Sequence, residues 1–229
     1  MYEFFKRNHS YLQAGFLLTF AASIGQTFYF ALYAGSIRNE LGLSHGGYGG
    51  LYTVATLLSA LTMLYTGKMV DYLNVRYLSF FVLILLGLSS IAFSFINSAV
   101  FLLIVFYLLR ITGQGMSTHT SSTFIAKTFT SMRGKAIAVT VLGRAFGEMV
   151  MPITGIILIA TFGWRNAWIY TGLIILFVIA PYVFHLLKER EIYEPDLDQK
   201  SNPENESQIN YRRLEVMKNK FFYLILAAV

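Results

Sequence analysis

The sequence predicts an all-α polytopic membrane protein, with six transmembrane helices in one bundle and a charged segment after them. Three observations predict it. Of the 229 residues, 55% are hydrophobic and only 13% charged, about half the charge of an ordinary soluble domain, and the mean hydropathy is +0.56. Six long apolar runs and the start of a seventh follow one another along the chain, and a helix needs roughly 20 apolar residues to cross a hydrocarbon core about 30 Å thick. Runs such as 77–96 are apolar on every side. That excludes the alternating strands of a transmembrane barrel and leaves the helix as the spanning element.

The spans are expected at 12–36, 47–67, 77–96, 99–126, 136–160 and 166–187, which sets the first unit at 1–187. Span one follows Lys6 and Arg7, but no small-residue cleavage site comes after it and the run is too long for a signal peptide, so it stays. Ahead of span two, the glycine-rich stretch from Gly42 to Gly50 lacks the Lys-Ser/Thr ending of a phosphate loop. Spans three and six have no ionisable residue in their cores, span four carries Arg110 and Gln114, and span five is marked by Gly143, Gly147, Pro152 and Gly155. From 188 to 220 charge of both signs, prolines, Asn and Ser replace the apolar pattern, which reads as a solvated linker with a short surface helix from Tyr211. At 221–229 a seventh apolar run begins. Nine residues of helix cover only about 13 Å, so the chain is expected to be truncated or partial, with a C-terminal half missing.

The net charge of +6 is explained by position. With the N-terminus inside, the inner ends carry Lys6, Arg7, Lys68, Arg76, Lys127, Arg133 and Lys135, and the outer loops only Arg38 and Arg165. Seven against two is a positive-inside bias, placing the N-terminus and the 188–220 loop in the cytoplasm. The charge needs no nucleic-acid partner. With no cysteine and four scattered histidines, no disulfide framework, thiolate chemistry or metal site is expected, and no cofactor.

Arg110, Arg144 and Glu148 are ionisable groups inside apolar spans. Each costs at least ~2.5 kcal/mol to insert, so each needs a partner or a wet cavity. Arg110 lies eleven residues from the outer end of span four and Glu148 twelve from the inner end of span five, about 17 and 18 Å deep at the helical rise. Two pairings are open: Arg110 with Glu148 across neighbouring antiparallel spans, or Arg144 with Glu148 four residues apart on one face. If Arg110 instead lines a cavity, Gln114 continues its face, Ser117, Thr118 and Ser121 extend a polar stripe inward, and His119 and Thr120 lie beside it. Gln26, with Ser23 and Thr27, adds polar groups midway along span one. Such a face suits an anionic or polar solute. His119 belongs to the residue type that serves as a pH switch, although a lone intramembrane histidine more often packs with a hydrogen bond. Glu148 is the candidate proton carrier, and an arginine partner argues against that role. The glycines of span five fit close helix packing or a hinge, and Tyr29, Tyr33, Trp164 and Trp168 are expected as interfacial anchors or cavity wall.

The loop between spans two and three reads GKMVDYLNVR, which resembles the loop motif of the major facilitator superfamily through Gly67, Asp71 and Arg76, with Tyr72, Asn74 and Val75 departing from it. Arg110, Gln114 and Gly115 resemble the family's fourth-helix pattern; Gly143, Gly147, Pro152 and Gly155 resemble its fifth-helix motif at longer spacing. Gly163, Trp164 and Arg165 match a turn common before span six in bacterial members. The resemblance implies a bacterial inner-membrane carrier moving a small solute by alternating access, with coupling to protons left open, and without covalent chemistry. It implies that spans one and four line the cavity while three and six lie outside. It also implies that Gly67, Asp71 and Arg76 latch the cytoplasmic ends of two halves, where Asp71 caps a helix or pairs with a basic loop residue. A six-helix half-porter or channel subunit acting as a homodimer, or an inactive fragment, are the alternatives; an intramembrane protease lacks its Gly-x-Ser-Gly turn.

Overall fold

In the computed structural model, residues 2–188 are described, so the linker beyond Lys188 and the seventh run at 221–229 lie outside the described residues. Those described are helical nearly throughout, with no strand among them. After a short α1 (Tyr2–Arg7), span one is α2 (His9–Ala22), a 3-10 turn (Ser23–Gly25) and α3 (Thr27–Leu41). Span two is α4 (His45–Thr66), followed by the single turn α5 (Met69–Tyr72), and span three is α6 (Val75–Phe93). Span four runs through α7 (Ala99–Leu109), a π-helical stretch (Arg110–Ser117) and α8 (Thr118–Thr128). Then come α9 (Arg133–Ile174), a second π stretch (Ile175–Ile179) and α10 (Ala180–Leu186).

Local chemistry sets the ends. Gly42, at φ 63°, closes α3 in the left-handed conformation that a glycine adopts without strain. The side chains of Ser44, Asn74 and Ser98 each accept a hydrogen bond from a first-turn amide, at 2.9, 2.9 and 3.3 Å, and so cap α4, α6 and α7. Asn74, a departure from the loop motif, is therefore the residue that starts span three.

Among the described residues, five helical segments are long and apolar enough to cross a membrane, and the last, Arg133–Leu186, has 54 residues. A straight helix of that length would be about 80 Å long. Gly163, at φ 77° and ψ 160°, breaks it. Gly155 and Trp168 both meet Tyr29, the first with a built Cβ 3.3 Å from the tyrosine ring and the second with ring centroids 5.2 Å apart. Helix residues so far apart in sequence reach one ring only if the chain doubles back, so the six expected spans are present as 9–41, 45–66, 75–93, 99–128, 133–162 and 164–186. The first runs well past its expected end at 36 and is interrupted in the middle.

Span one is the most buried of the six, and small residues let span five close on it. A Cβ on Gly143 would lie 2.2 Å from the Phe16 carbonyl oxygen, and one on Gly147 2.1 Å from Ser23 Oγ. The Thr19 hydroxyl donates to the Thr140 carbonyl at 2.5 Å. Tyr29, Tyr33 and Trp168 are not interfacial: all three are buried, packed with Phe30 and Phe93 in one aromatic cluster. Interfacial placement is an average tendency of aromatic side chains. Here the tyrosine hydroxyls satisfy each other and Thr171 at 3.1 and 3.2 Å, which removes the need for water. At the same end Arg165 stacks on Trp164 and donates to the Ser94 and Ile96 carbonyls and to Glu40. Outward, α4 and α9 expose Leu57, Leu61, Leu64, Val141, Ile153 and Ile157, an apolar surface suited to lipid. The protein is an integral membrane protein of the polytopic all-α class.

Candidate functional site

Spans one and four cross at Gly25. A Cβ there would meet the Leu109 carbonyl oxygen at 2.4 Å, the Gln114 amide nitrogen at 2.8 Å and Gly113 Cα at 3.0 Å; only two glycines permit so close an approach of backbones. Both helices are irregular where they touch. Gln26 is extended, at φ −90° and ψ 154°, and span four widens into its π stretch over Arg110–Ser117. Regular hydrogen bonding stops at such breaks, which membrane proteins tolerate where the freed groups find partners or line a cavity. The Gly25 carbonyl is one freed group, and Arg110 Nη1 donates to it at 3.2 Å.

The other side of the guanidinium is covered by an aromatic face, with Arg110 Cζ 5.3 Å from the Tyr52 ring centroid. Tyr52 is placed by a 2.6 Å hydrogen bond between its hydroxyl and that of Thr27. Around this point buried polar atoms lack any hydrogen-bond partner: Ser23 Oγ, Gln26 Nε2, Arg110 Nε, Gln114 Oε1 and Thr118 Oγ1. Buried polar groups are nearly always paired, and each left unpaired costs about 1 to 3 kcal/mol. A concentration of them at one crossing marks a place built to take a polar partner.

Of the two open pairings, the structure has Arg144 with Glu148, Nε to Oε1 at 2.9 Å along one helix face, each side chain 45% exposed. Arg110 and Glu148 are not paired, because span five turns Gly143, Gly147, Met151 and Gly155 toward span one and carries its two charges on a different face. Pro152 sits in a helix whose only non-helical residue is Gly163; its missing amide removes the bond that Glu148's carbonyl would otherwise accept. In this conformation Gly147 and Gly155 serve close packing against span one.

The polar stripe below Gln114 is split. Thr118 stays near the crossing, whereas Ser117, Thr120 and Ser121 are fully buried. The Ser117 hydroxyl donates to the Thr112 carbonyl five residues back at 2.7 Å, and Ser121 donates to the Gly15 carbonyl of span one at 2.8 Å. The wide π turn rotates the residues after it inward. His119 packs with a hydrogen bond: Nε2 donates to the Gly67 carbonyl at 2.9 Å, and Gly67 is glycine where a Cβ would sit 2.9 Å from the Met63 carbonyl oxygen.

Asp71 neither caps a helix nor bonds within its own loop. Its carboxylate takes the Lys127 ammonium from the end of span four at 2.6 Å, and that hydrogen bond, then the ammonium's charge, holds the carboxyl below the usual carboxylate range. Arg76 is engaged elsewhere. It donates to the Phe184 carbonyl at 3.0 Å and lies 3.9 Å over the Phe184 ring, joining spans three and six.

Tyr52 and Thr27 were not legible as a pair, since one closes on the other only after span one breaks. The available signal was the helix-weak pair of Ser23 and Gly25 inside an apolar run.

The arrangement offers a half-buried cation, two carboxamides and hydroxyls at mid-bundle, with no nucleophile and base in contact. It suits recognition of a polar solute. No curated protein and no solved structure matches the chain. The family model of the Major Facilitator Superfamily matches residues 15–229, and with six spans broken and packed as described, the chain belongs to that superfamily of membrane transporters.

Proposed function

We propose that the protein is a secondary active transporter of a small polar or anionic solute, working by alternating access and without covalent chemistry, and that Arg110, Gln26 and Gln114 form its binding surface. The unpartnered polar atoms at the crossing of spans one and four carry this reading. A solute that meets them replaces the water they lose, and the breaks at Gln26 and Arg110–Ser117 give the two spans room to shift. His119 and the Asp71 contact with Lys127 tie the ends of spans two and four together, which fits a latch at the cytoplasmic end, and Gly147, Pro152 and Gly155 provide the face on which span five would slide. The bond of Glu148 to Arg144 speaks against Glu148 as a proton carrier in this half. The charge bias supports an orientation with the N-terminus and the 188–220 loop on the cytoplasmic side, in a plasma-membrane carrier.

The test is uptake into vesicles of a panel of labelled small solutes by the wild type and by Arg110→Lys. Lysine keeps the charge but loses the planar fork, so uptake of the transported solute should fall by an order of magnitude or more at equal membrane insertion. Unchanged uptake would remove Arg110 from the site.

A further inference from the structure

We infer that the solute is a small monocarboxylate bearing a hydroxyl next to the carboxylate, held by the Nε and Nη2 edge of Arg110 with the hydroxyl shared between Gln26 and Gln114. This rests on the reading of the crossing as the binding surface and narrows it by charge and by hydrogen-bond type.

Charge comes first. Inside the spans, among the described residues, Arg144 and Glu148 neutralise each other in one ion pair, and His119 is bonded to a carbonyl. Of the ionisable groups deep in spans four and five, Arg110 is left as the one without an acid partner. One guanidinium balances one negative charge, so a dicarboxylate or sulfate would bring an uncompensated charge into the membrane interior, which is costly. A zwitterion or a neutral solute would leave the guanidinium itself unbalanced.

The shape of the edge comes next. Nη1 is spent on the Gly25 carbonyl at 3.2 Å, while Nε is buried and has no partner. Nε and the Nη2 that points parallel to it form the side-on fork of a guanidinium, whose two N–H groups match the two oxygens of a carboxylate. Tyr52 covers the cation with its ring, so a planar group sliding against that edge keeps the aromatic contact.

The substituent follows from the two amides. The unpartnered atoms are a donor, Gln26 Nε2, and an acceptor, Gln114 Oε1. A hydroxyl is the smallest group that accepts from one and donates to the other at once. Both amides start at the crossing itself: Gln26 follows Gly25, and the Gln114 backbone nitrogen is 2.8 Å from where a Gly25 Cβ would be. Both amides thus branch from the crossing whose Gly25 carbonyl Arg110 holds, which is why the hydroxyl is set next to the carboxylate.

The experiment is thermal unfolding of the full chain in nanodiscs with millimolar glycolate, acetate, glycine, malonate, sulfate or glycerol, since a ligand that binds the folded state raises the unfolding temperature. Glycolate should give the largest rise and acetate a smaller one, with glycine, malonate, sulfate and glycerol near zero. Arg110→Lys should weaken glycolate about tenfold. Gln114→Leu should leave acetate unchanged and remove the advantage of glycolate over it. A larger rise with malonate, sulfate or glycine, or no rise with any carboxylate, overturns the substrate class. If sulfate binds and Arg110→Lys abolishes it, the class fails while the binding surface survives. A rise that Arg110→Lys leaves untouched sinks both.

Discussion

Two of the glycine crossings in this bundle are similarly close and differ in what surrounds them. Where spans three and six meet, a Cβ on Gly87 would lie 2.6 Å from Leu176 Cγ and 3.1 Å from the Gly172 carbonyl oxygen, and one on Gly172 would lie 2.7 Å from the Gly87 carbonyl oxygen. Gly87 and Gly172 both sit in regular α-helix, and the hydroxyls of Ser89 and Ser90 return to the carbonyls of Leu85 and Leu86. At Gly25 the approach is as close, yet both backbones are broken and polar side-chain atoms are buried without partners. Close packing is thus common to both places. Among the described residues, spans three and six leave only the buried Ser79 Oγ and Trp168 Nε1 without partners, and Leu176 against Gly87 lies in the second π stretch; what distinguishes the Gly25 crossing is that more such atoms gather beside two broken helices.

The comparison is tested hardest by adding one methyl group at each crossing. At Gly25 the obstacle is backbone on three sides, which cannot yield without separating the spans, so Gly25→Ala should destabilise by about 3 kcal/mol, at the upper end for overpacking. Gly87→Ala pushes first against the Leu176 side chain, which can change rotamer, and should cost about 1.5 kcal/mol. Unfolding in nanodiscs reads both. Equal losses would mean that spans one and four yield as readily as three and six.

A second test sets the two well-ordered arginines against each other. Arg165 serves two carbonyls and Glu40 and stacks on Trp164, so Arg165→Gln should cost about 2 kcal/mol, discounted for its partial exposure. Arg110 makes one backbone bond. Arg110→Met removes that bond but also relieves a buried charge, and the two nearly cancel, leaving stability within about 1 kcal/mol of the wild type while uptake is lost. A large stability loss at Arg110 with uptake retained would make it a structural arginine like Arg165.

Much of this was legible before the structure, and what was not has identifiable causes. The number of spans and the presence of polar groups on spans one and four follow from hydropathy and the helical rise. Partners did not follow. Glu148 had an arginine four residues back and another on the next span, and spacing alone admits both. Asp71 finds Lys127 across 56 positions, a distance over which no local pattern speaks. Gly87 and Gly172 are lone glycines in apolar runs, without a signal that they face each other. The break at Gln26 and the π stretch needed each other: neither Ser23 to Gln26 nor Arg110 to Ser117 forces irregular backbone by composition, and it is their mutual approach that makes both stable. The stripe of Ser117 and Ser121 was misread for the same reason, because a regular period was carried through a wide turn.

The smallest effect on stability is expected at a contact belonging to neither crossing, and it sharpens the comparison by separating movement from packing. Asp71 and Lys127 are about half exposed, at 51% and 52%, so Asp71→Asn should leave the unfolding temperature unchanged. It should lower the maximal rate of transport and leave the apparent affinity alone, if the contact governs passage between conformations and not the solute site. The pH dependence has a definite sign. Asp71 is held below the usual carboxylate range by Lys127, so the wild-type contact persists at neutral pH and is lost only as pH falls through that lowered value, whereas in Asp71→Asn it is weak at every pH. Rates of the two proteins should therefore converge in acid and differ at neutrality. A change in affinity with an unaltered maximal rate would place Asp71 in communication with the crossing of spans one and four, and the distinction between binding surface and latch would fail at that residue.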